Sequence, residues 1–446
     1  MTSTLDQLTG TVHRPGDPGY DAALTGYQLA VVHAPAVVVQ ARSADDVATA
    51  VRYAAAEGLG VVVQSTGHGA RHPAGPDTLL LRTGDLDDVT VDPVARTVTV
   101  GAGATVAQVM AEAGPHGLAM VSGAAPTVGV VGLTIGGGVG PLARSLGFAA
   151  DRVRSFEVVT ADGEQRHVDA DSEPDLFFAL RGGGGGVAVV TSMTADLVEL
   201  PGFWGGAVFF PGAAAAAVLH AWRSWAPTLP TEVTTSIALL RLPDLPQVPG
   251  PLRGQFVVHL RIASTGSMAD GAALLAPMLT AAPVLINLVG PMPYSSIGAV
   301  HLDPADPAPT ADCGCVLRDF PEEAADALLA VAGPGVDSPL LVAEVRHLGG
   351  AMAVQPAVPD AVSGRDATWQ LFTLGMLVPP TADQVPAAAR AVVDALGPWR
   401  SGLLYNFAGG QDLSEAWPPD VLARLQRITR DRDPHGLFRP AQPLPA

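Results

Sequence analysis

A chain of 446 residues with 48% hydrophobic content is long enough for two or three cores. Its formal net charge of −18 suits it poorly to phosphate backbones or anionic lipid, which need clustered cations, so neither nucleic acid nor a membrane is an expected partner. Lysine is absent, which excludes a Schiff-base lysine, a lysine general base and a P-loop lysine; Cys313 and Cys315, one glycine apart, are too few for a disulfide scaffold or a four-ligand zinc site.

The opening MTSTLDQLTGTVHRPGDPGYD lacks the basic start and apolar core of a secretory leader, and with the sparse cysteines this predicts a reducing, cytoplasmic location. AVVVQA at 36–41 reads as a buried strand. Ser43 then caps a helix carrying Asp45 and Asp46 in its first turn, Gly58 stops it, and a second strand runs over 61–64. Strand, helix and strand with a short return favour parallel pairing, which puts the loop after Gln64 at the carboxyl end of a parallel strand, where ligands of such sheets bind.

Short strands DDVTVD and RTVTVGAG, a helix over 105–113, strands at 153–160 and 165–168, and a helix over 173–180 follow. The uncharged stretches 113–143 and 200–222 exceed the roughly 20 residues of a membrane-spanning helix, but glycines and prolines break both. The first module closes near Leu200. From 201 to 398, helices such as 212–226 and 321–332 alternate with paired strands QFVVHLRIA, PLLVAEVRHL and TWQLFTLGML, the pattern of an antiparallel α+β domain. The tail 399–446 holds a strand LLYNF, a helix around 419–430 and the closing DPHGLFRPAQPLPA.

Three glycine-rich segments stand in the first module. Gln64-Ser65-Thr66-Gly67-His68-Gly69 exposes backbone N–H groups of the kind that cradle a pyrophosphate. PTVGVVGLTIGGGVG at 126–140 brings Thr127, Val128, Gly129, Gly132, Thr134, Gly136, Gly137 and Gly138. RGGGGGVAVVT at 181–191 runs into Val189. A dinucleotide fingerprint of the Rossmann kind is a poor fit, because VTVGAGATVAQV has Val106 at its third glycine position.

The order of a Gly-His loop after a strand, PTVG…GLTIGGG, RGGGGGVAVVT, AEVRHLGGAM at 343–352, Tyr405-Asn406-Phe407 and DPHGLFRPAQPLP resembles the berberine bridge enzyme-like group of the vanillyl-alcohol oxidase superfamily. The resemblance covers nearly the whole chain. It implies an α+β fold: a PCMH-type FAD-binding domain of two α/β subdomains over 1–200, an antiparallel-sheet substrate domain over 201–398, and a segment 399–446 returning to the first domain. It also implies FAD held by the three glycine loops and Asn406, with His68 bonded to the flavin 8α-methyl. Bicovalent members carry a cysteine just before Pro-Thr-Val-Gly; Ala125 stands there in this chain, so one tether, through His68, is expected.

The base is the weakest element of the pattern. Relatives carry Tyr-x-Asn-Phe, whereas Leu404 precedes Tyr405-Asn406-Phe407 here, and adjacent strand side chains face opposite ways, so Tyr405 replaces that tyrosine only if the strand bulges. His347 is the other candidate, on a substrate-domain strand expected to cover the flavin, where an apolar cavity and neighbours can bring its pKa near neutrality; the competing reading is a hydrogen-bonded core histidine. Glu344 and Arg346, on the opposite strand face, read as a structural pair, and the two cysteines as packing. The expected function is an FAD-dependent oxidase that takes a hydride from a small, hydrophobic substrate of a biosynthetic pathway, with O2 as acceptor. The alternative is a flavin-bound non-oxidative cyclase or binding protein without redox turnover.

Overall fold

Ser43 starts the first helix as its composition predicts: its hydroxyl accepts the Asp46 N–H at 3.1 Å ahead of Ala44–Glu57, and Gly58 ends the helix at φ +69°. In the computed structural model, which describes residues 4–445, this helix packs on a four-stranded sheet in the order Thr11–His13, Val37–Gln40, Thr78–Arg82, Gly60–Gln64. Residues 1–3 of the opening segment and 446 of the tail lie outside the described residues. Strands Val37–Gln40 and Gly60–Gln64 are parallel but not neighbours, because Thr78–Arg82 lies between them and pairs with both. Leu79, Leu80 and Leu81 are fully buried, and a strand apolar on both faces belongs at the centre of a parallel sheet.

A second, antiparallel sheet is organised on Val189–Glu199, which pairs with Thr97–Gly101 on one side and Val153–Val159 on the other. A third sheet of nine antiparallel strands draws on residues 202–402, with the helices Ala215–Trp225, Glu322–Ala332 and Val385–Ala395 against it. The two uncharged stretches dissolve into short elements, 200–222 into Gly202–Pro211 and the start of Ala215–Trp225. Among the described residues no helix is long and apolar enough to cross a membrane. The α+β architecture expected from the sequence is the one observed.

The LLYNF strand is not formed. Only Arg400–Gly402 is extended, and Tyr405–Phe407 is a 3₁₀ turn whose first N–H is taken by the Ser363 hydroxyl at 3.0 Å instead of a ladder carbonyl. After the helix Pro419–Arg432 the chain returns to the first sheet. Phe438 lies parallel to Val61, with Val61 N–H donating to Leu437 C=O at 2.7 Å and Arg439 N–H to Val61 C=O at 2.8 Å. Asp433 holds this approach by accepting the N–H groups of Leu437 and Phe438. Phe438 is 6% exposed and shares a core with Val61, Leu79 and Val189. Phe438→Ala is expected to cost about 3–5 kcal/mol, the range for emptying a buried aromatic site; urea unfolding checks it, and a loss under about 1 kcal/mol would show that the tail merely rests on the sheet.

Candidate functional site

The loop after Gly60–Gln64 turns at Gly67, where φ is +83° and an added Cβ would come 2.8 Å from Gly26 Cα, so only glycine fits. The turn presents His68. Its ring stacks on Tyr27, centroids 3.7 Å apart and planes at 16°, while Nδ1 meets the Thr66 hydroxyl at 2.8 Å and Nε2 faces the Thr127 hydroxyl at 3.4 Å. Burial pushes the His68 pKa down to about 4, so the imidazole is neutral with lone-pair density available at cellular pH. Behind it, Gln64 Oε1 meets His33 Nε2 at 2.9 Å, which leaves Gln64 Nε2 buried without a partner, and the Ser65 hydroxyl is likewise buried and unpartnered.

The second loop is laid against the first: a Cβ on Gly129 would come 3.1 Å from Ser65 Oγ, and Val128 C=O accepts the Val106 N–H at 3.0 Å. It contains a short helix, Val130–Ile135, and then the glycines 136–138. The third loop docks on the second, since Ile135 C=O accepts the N–H groups of both Gly182 and Gly184, at 3.0 and 2.8 Å. The 405–407 turn locks the pair. Asn406 Nδ2 donates to Leu133 C=O at 3.1 Å while its Oδ1 accepts the Gly138 N–H at 2.9 Å.

The glycines fall into two kinds. Gly136 and Gly184 make room for Tyr405, which an added Cβ would approach to 2.6 and 2.3 Å. Gly69, Gly132 and Gly185, one on each loop, have nothing within 4 Å where a Cβ would stand. Bare backbone on the three loops, two orphaned polar atoms and a neutral histidine fit a flavin dinucleotide, for which Ser65 and Gln64 supply polar partners, the open glycines room for close approach and His68 a nucleophilic nitrogen.

Several expected site residues take other positions. Tyr405 is buried against Trp417, its hydroxyl accepts the Gly185 N–H, and burial pushes its pKa up to about 12, so it is a wedge between loops and not a proton acceptor facing a substrate. Leu404 is enclosed with Val139, Phe148 and Leu348. Thr134 donates its hydroxyl to Val130 C=O in its own helix at 2.7 Å, and the Val189 side chain lies in the core shared with Phe438; neither reaches the open side of the loops.

His347 is the main correction. It pairs with Trp369 across the sheet and alternates in step with Val345, on the face where Trp369 meets Trp222 and Phe320. Its ring lies 4.7 Å from Trp369, Nε2 faces Arg144 Nη1 at 3.2 Å, and burial together with the Arg144 charge brings its pKa down to about 3. It is not a base near neutrality. The opposite face carries Glu344 and Arg346, paired at 3.0 Å as expected, but turned toward residues 139–143 of the second loop. Cys313 and Cys315 are buried in the core, their thiols pushed up to about 11 and 12 by burial.

Reading the sequence missed Tyr27, which no motif marks, and a row of Ser236, Arg261 and Gln370 beside Arg346. That row had a signal: each is a polar residue at the alternating position of an otherwise apolar strand.

An α+β scaffold whose three glycine loops dock one on the next, with a neutral histidine between the first and the second, fits a flavin nucleotide. Residues 35–169 match the FAD binding domain family, and the chain has the fold of the berberine bridge enzyme-like proteins. It is 35% identical over 195 residues to (R)-6-hydroxynicotine oxidase of Paenarthrobacter nicotinovorans, an alignment covering 44% of this chain and 43% of that protein. The chain thus matches less than half the length of this curated relative. Berberine bridge enzyme-like protein 1 of Physcomitrella patens superposes with a TM-score of 0.85 at 19% identity, over 99% of this chain and 98% of that one. Glucooligosaccharide oxidase of Acremonium strictum, described as carrying a 6-S-cysteinyl, 8α-N1-histidyl FAD, gives 0.83 at 21% identity over 99% of both.

Tyr405→Phe is expected to lose about 1 kcal/mol of stability, the worth of one neutral hydrogen bond, with turnover nearly unchanged; a hundredfold fall in kcat would return the hydroxyl to the chemistry. For His347 the ordinary pKa of 6.5 falls to about 3 on folding, so between those values the unfolded chain holds a proton that the folded one rejects. Stability is therefore full above pH 6.5 and declines as pH falls through that window, by about 2 kcal/mol at pH 5. His347→Gln, which keeps an acceptor for Arg144 and cannot ionise, is expected to remove that decline in urea titrations at pH 7 and pH 5; an unaltered pH dependence would contradict the burial argument.

Proposed function

We propose that the protein is an FAD-dependent oxidoreductase, an oxidase with O2 as acceptor, acting on a small substrate with a largely apolar body within a biosynthetic pathway, in the cytoplasm. The observation that carries this reading is the placement of His68, neutral and held between Tyr27, Thr66 and Thr127 where the first and second glycine loops meet. When bound, FAD supplies a two-electron acceptor at its ring. Thr66 fixes the orientation of the imidazole through Nδ1, and Tyr27 blocks rotation of the ring from below. His68 is then the single covalent attachment point. The histidyl link described for glucooligosaccharide oxidase supports that role, and its cysteinyl link has no counterpart because Ala125 lacks a thiol and both cysteines are buried in the nine-stranded sheet.

Apolar Val139, Val300, Leu348 and Met352 help line a narrow cleft between the second loop and the large sheet. They exclude water from a substrate there and match an apolar body. Tyr405 is turned under the third loop, and His347, which borders the cleft, faces Arg144 and is too weak a base at a pKa of about 3; this favours a substrate that surrenders its proton to solvent and keeps the non-oxidative cyclase as the second reading. Anaerobic incubation with donor substrates separates the two, since only the oxidase bleaches.

Purified protein is expected to be yellow, and acid precipitation to leave the colour in the pellet. In His68→Ala the colour moves to the supernatant while binding persists through the loops. Colour released from the wild type would refute the tether, and a colourless protein that takes up no added FAD would refute the flavin reading altogether.

A further inference from the structure

Four neighbouring strands of the large sheet place Arg261, Ser236, Arg346 and Gln370 directly opposite one another, so the four side chains leave the sheet on one face. His259 and Glu344 stand in the next row of that face. Arg261, Ser236 and Arg346 line the same cleft across from Val139, Gly140 and Ala143. The chain buries here what a protein of net charge −18 has least of: cations in excess.

Glu344 is the one carboxylate in the cluster, shared between Arg261 Nη1 at 2.7 Å and Arg346 Nη2 at 3.0 Å. The third buried cation, Arg144, has no carboxylate; it donates to Val233 C=O at 2.8 Å and to Leu348 C=O, and faces His347. Other acids are engaged elsewhere or lie in solvent: Asp151 and Asp360 are held by Arg365, and Asp303 is exposed. Burial and the adjoining guanidiniums keep His301 neutral, so the surplus is one of arginines.

The donors are also unspent. A guanidinium has five N–H groups; among the described residues Arg261 is engaged through Nε and Nη1, and Arg346 through Nη2 while its guanidinium plane covers Phe407. The Ser236 hydroxyl, both amide atoms of Gln370, Arg346 Nε and both ring nitrogens of His301 are buried with no hydrogen-bond partner. Two buried cations sharing one carboxylate, with idle donors beside them on one wall, are costly unless something completes them.

Building on the proposed oxidoreductase reading, we infer that the substrate carries a carboxylate, seated on Arg261, Ser236 and Arg346, with its apolar body directed to Val139 and Met352. A planar carboxylate accepts forked N–H donors from a guanidinium and a hydroxyl at its remaining lone pairs, and its single charge offsets part of the surplus. Among the described residues Glu344 is the carboxylate that the two arginines share, so one negative charge stands against two guanidiniums there.

The test is isothermal titration calorimetry of the flavin-loaded full chain with benzoate and with its neutral counterpart benzamide, with visible spectra recorded on the same samples. Benzoate is expected to bind at least about tenfold more tightly than benzamide, the size of one charge-assisted hydrogen bond. Arg261→Gln is expected to abolish that preference and Arg261→Lys to keep part of it. Ser236→Ala deletes an oxygen with no protein partner, so the fold survives even where Arg261→Gln does not, and benzoate alone is expected to weaken. Equal affinities, no heat from either probe, or benzoate binding indifferent to Ser236→Ala would each overturn the inference. A yellow protein that ignores benzoate refutes the carboxylate alone, whereas a protein that takes up no flavin refutes the reading beneath it.

Discussion

Asn406 holds its amide between Leu133 C=O and the Gly138 N–H, and everything functional in the molecule is arranged around that clamp. The amide is contributed from the far end of the chain, 268 residues after Gly138, and its neighbour Tyr405 fills the space that Gly136 and Gly184 leave empty. Two loops rich in glycine have little stiffness of their own, because glycine loses the most conformational freedom on folding. Clamping the second loop through Asn406 and tying the third to it through the buried Tyr405 ring and its bond to Gly185 fixes the backbone before any ligand arrives.

The same turn explains why the expected tyrosine chemistry is missing. Once Ser363 takes the Tyr405 N–H, the segment leaves the ladder and coils, which sends the phenol under the third loop and leaves Leu404 in an apolar cluster. The large sheet meets the FAD-binding domain with its polar row, while its other face, carrying Val345, Trp369 and His347, is given to helices. Two sides of one strand thus serve two different neighbours. Arg144 links them, reaching from residues 143–146 to the sheet end at Val233 and His347.

Much of the fold was legible in the residues. Ser43 and Gly58 bracket the first helix because capping and left-handed φ are local demands; the antiparallel pairs around Pro93 and the 161–163 turn follow from short-range chemistry in the same way. The strand order 37–40, 78–82, 60–64 was not legible, since position within a sheet depends on which strand is apolar on both faces relative to all the others. His347 was misplaced for a similar reason: alternation says that His347 and Arg346 point oppositely, but not which face the helices will cover.

By itself the sequence determined the histidine of the first glycine loop, the three glycine loops, the absence of a cysteine at position 125 and the exclusion of lysine chemistry, because these depend on residue identity and on backbone freedom within a few positions. Only the tertiary structure decided that Tyr405 is a wedge, that His347 lies under Trp222 and Trp369, and that Arg261, Ser236, Arg346 and Gln370 share one wall. The physical reason is that burial and pairing set the protonation and availability of a side chain, and both are properties of residues brought together from distant parts of the chain.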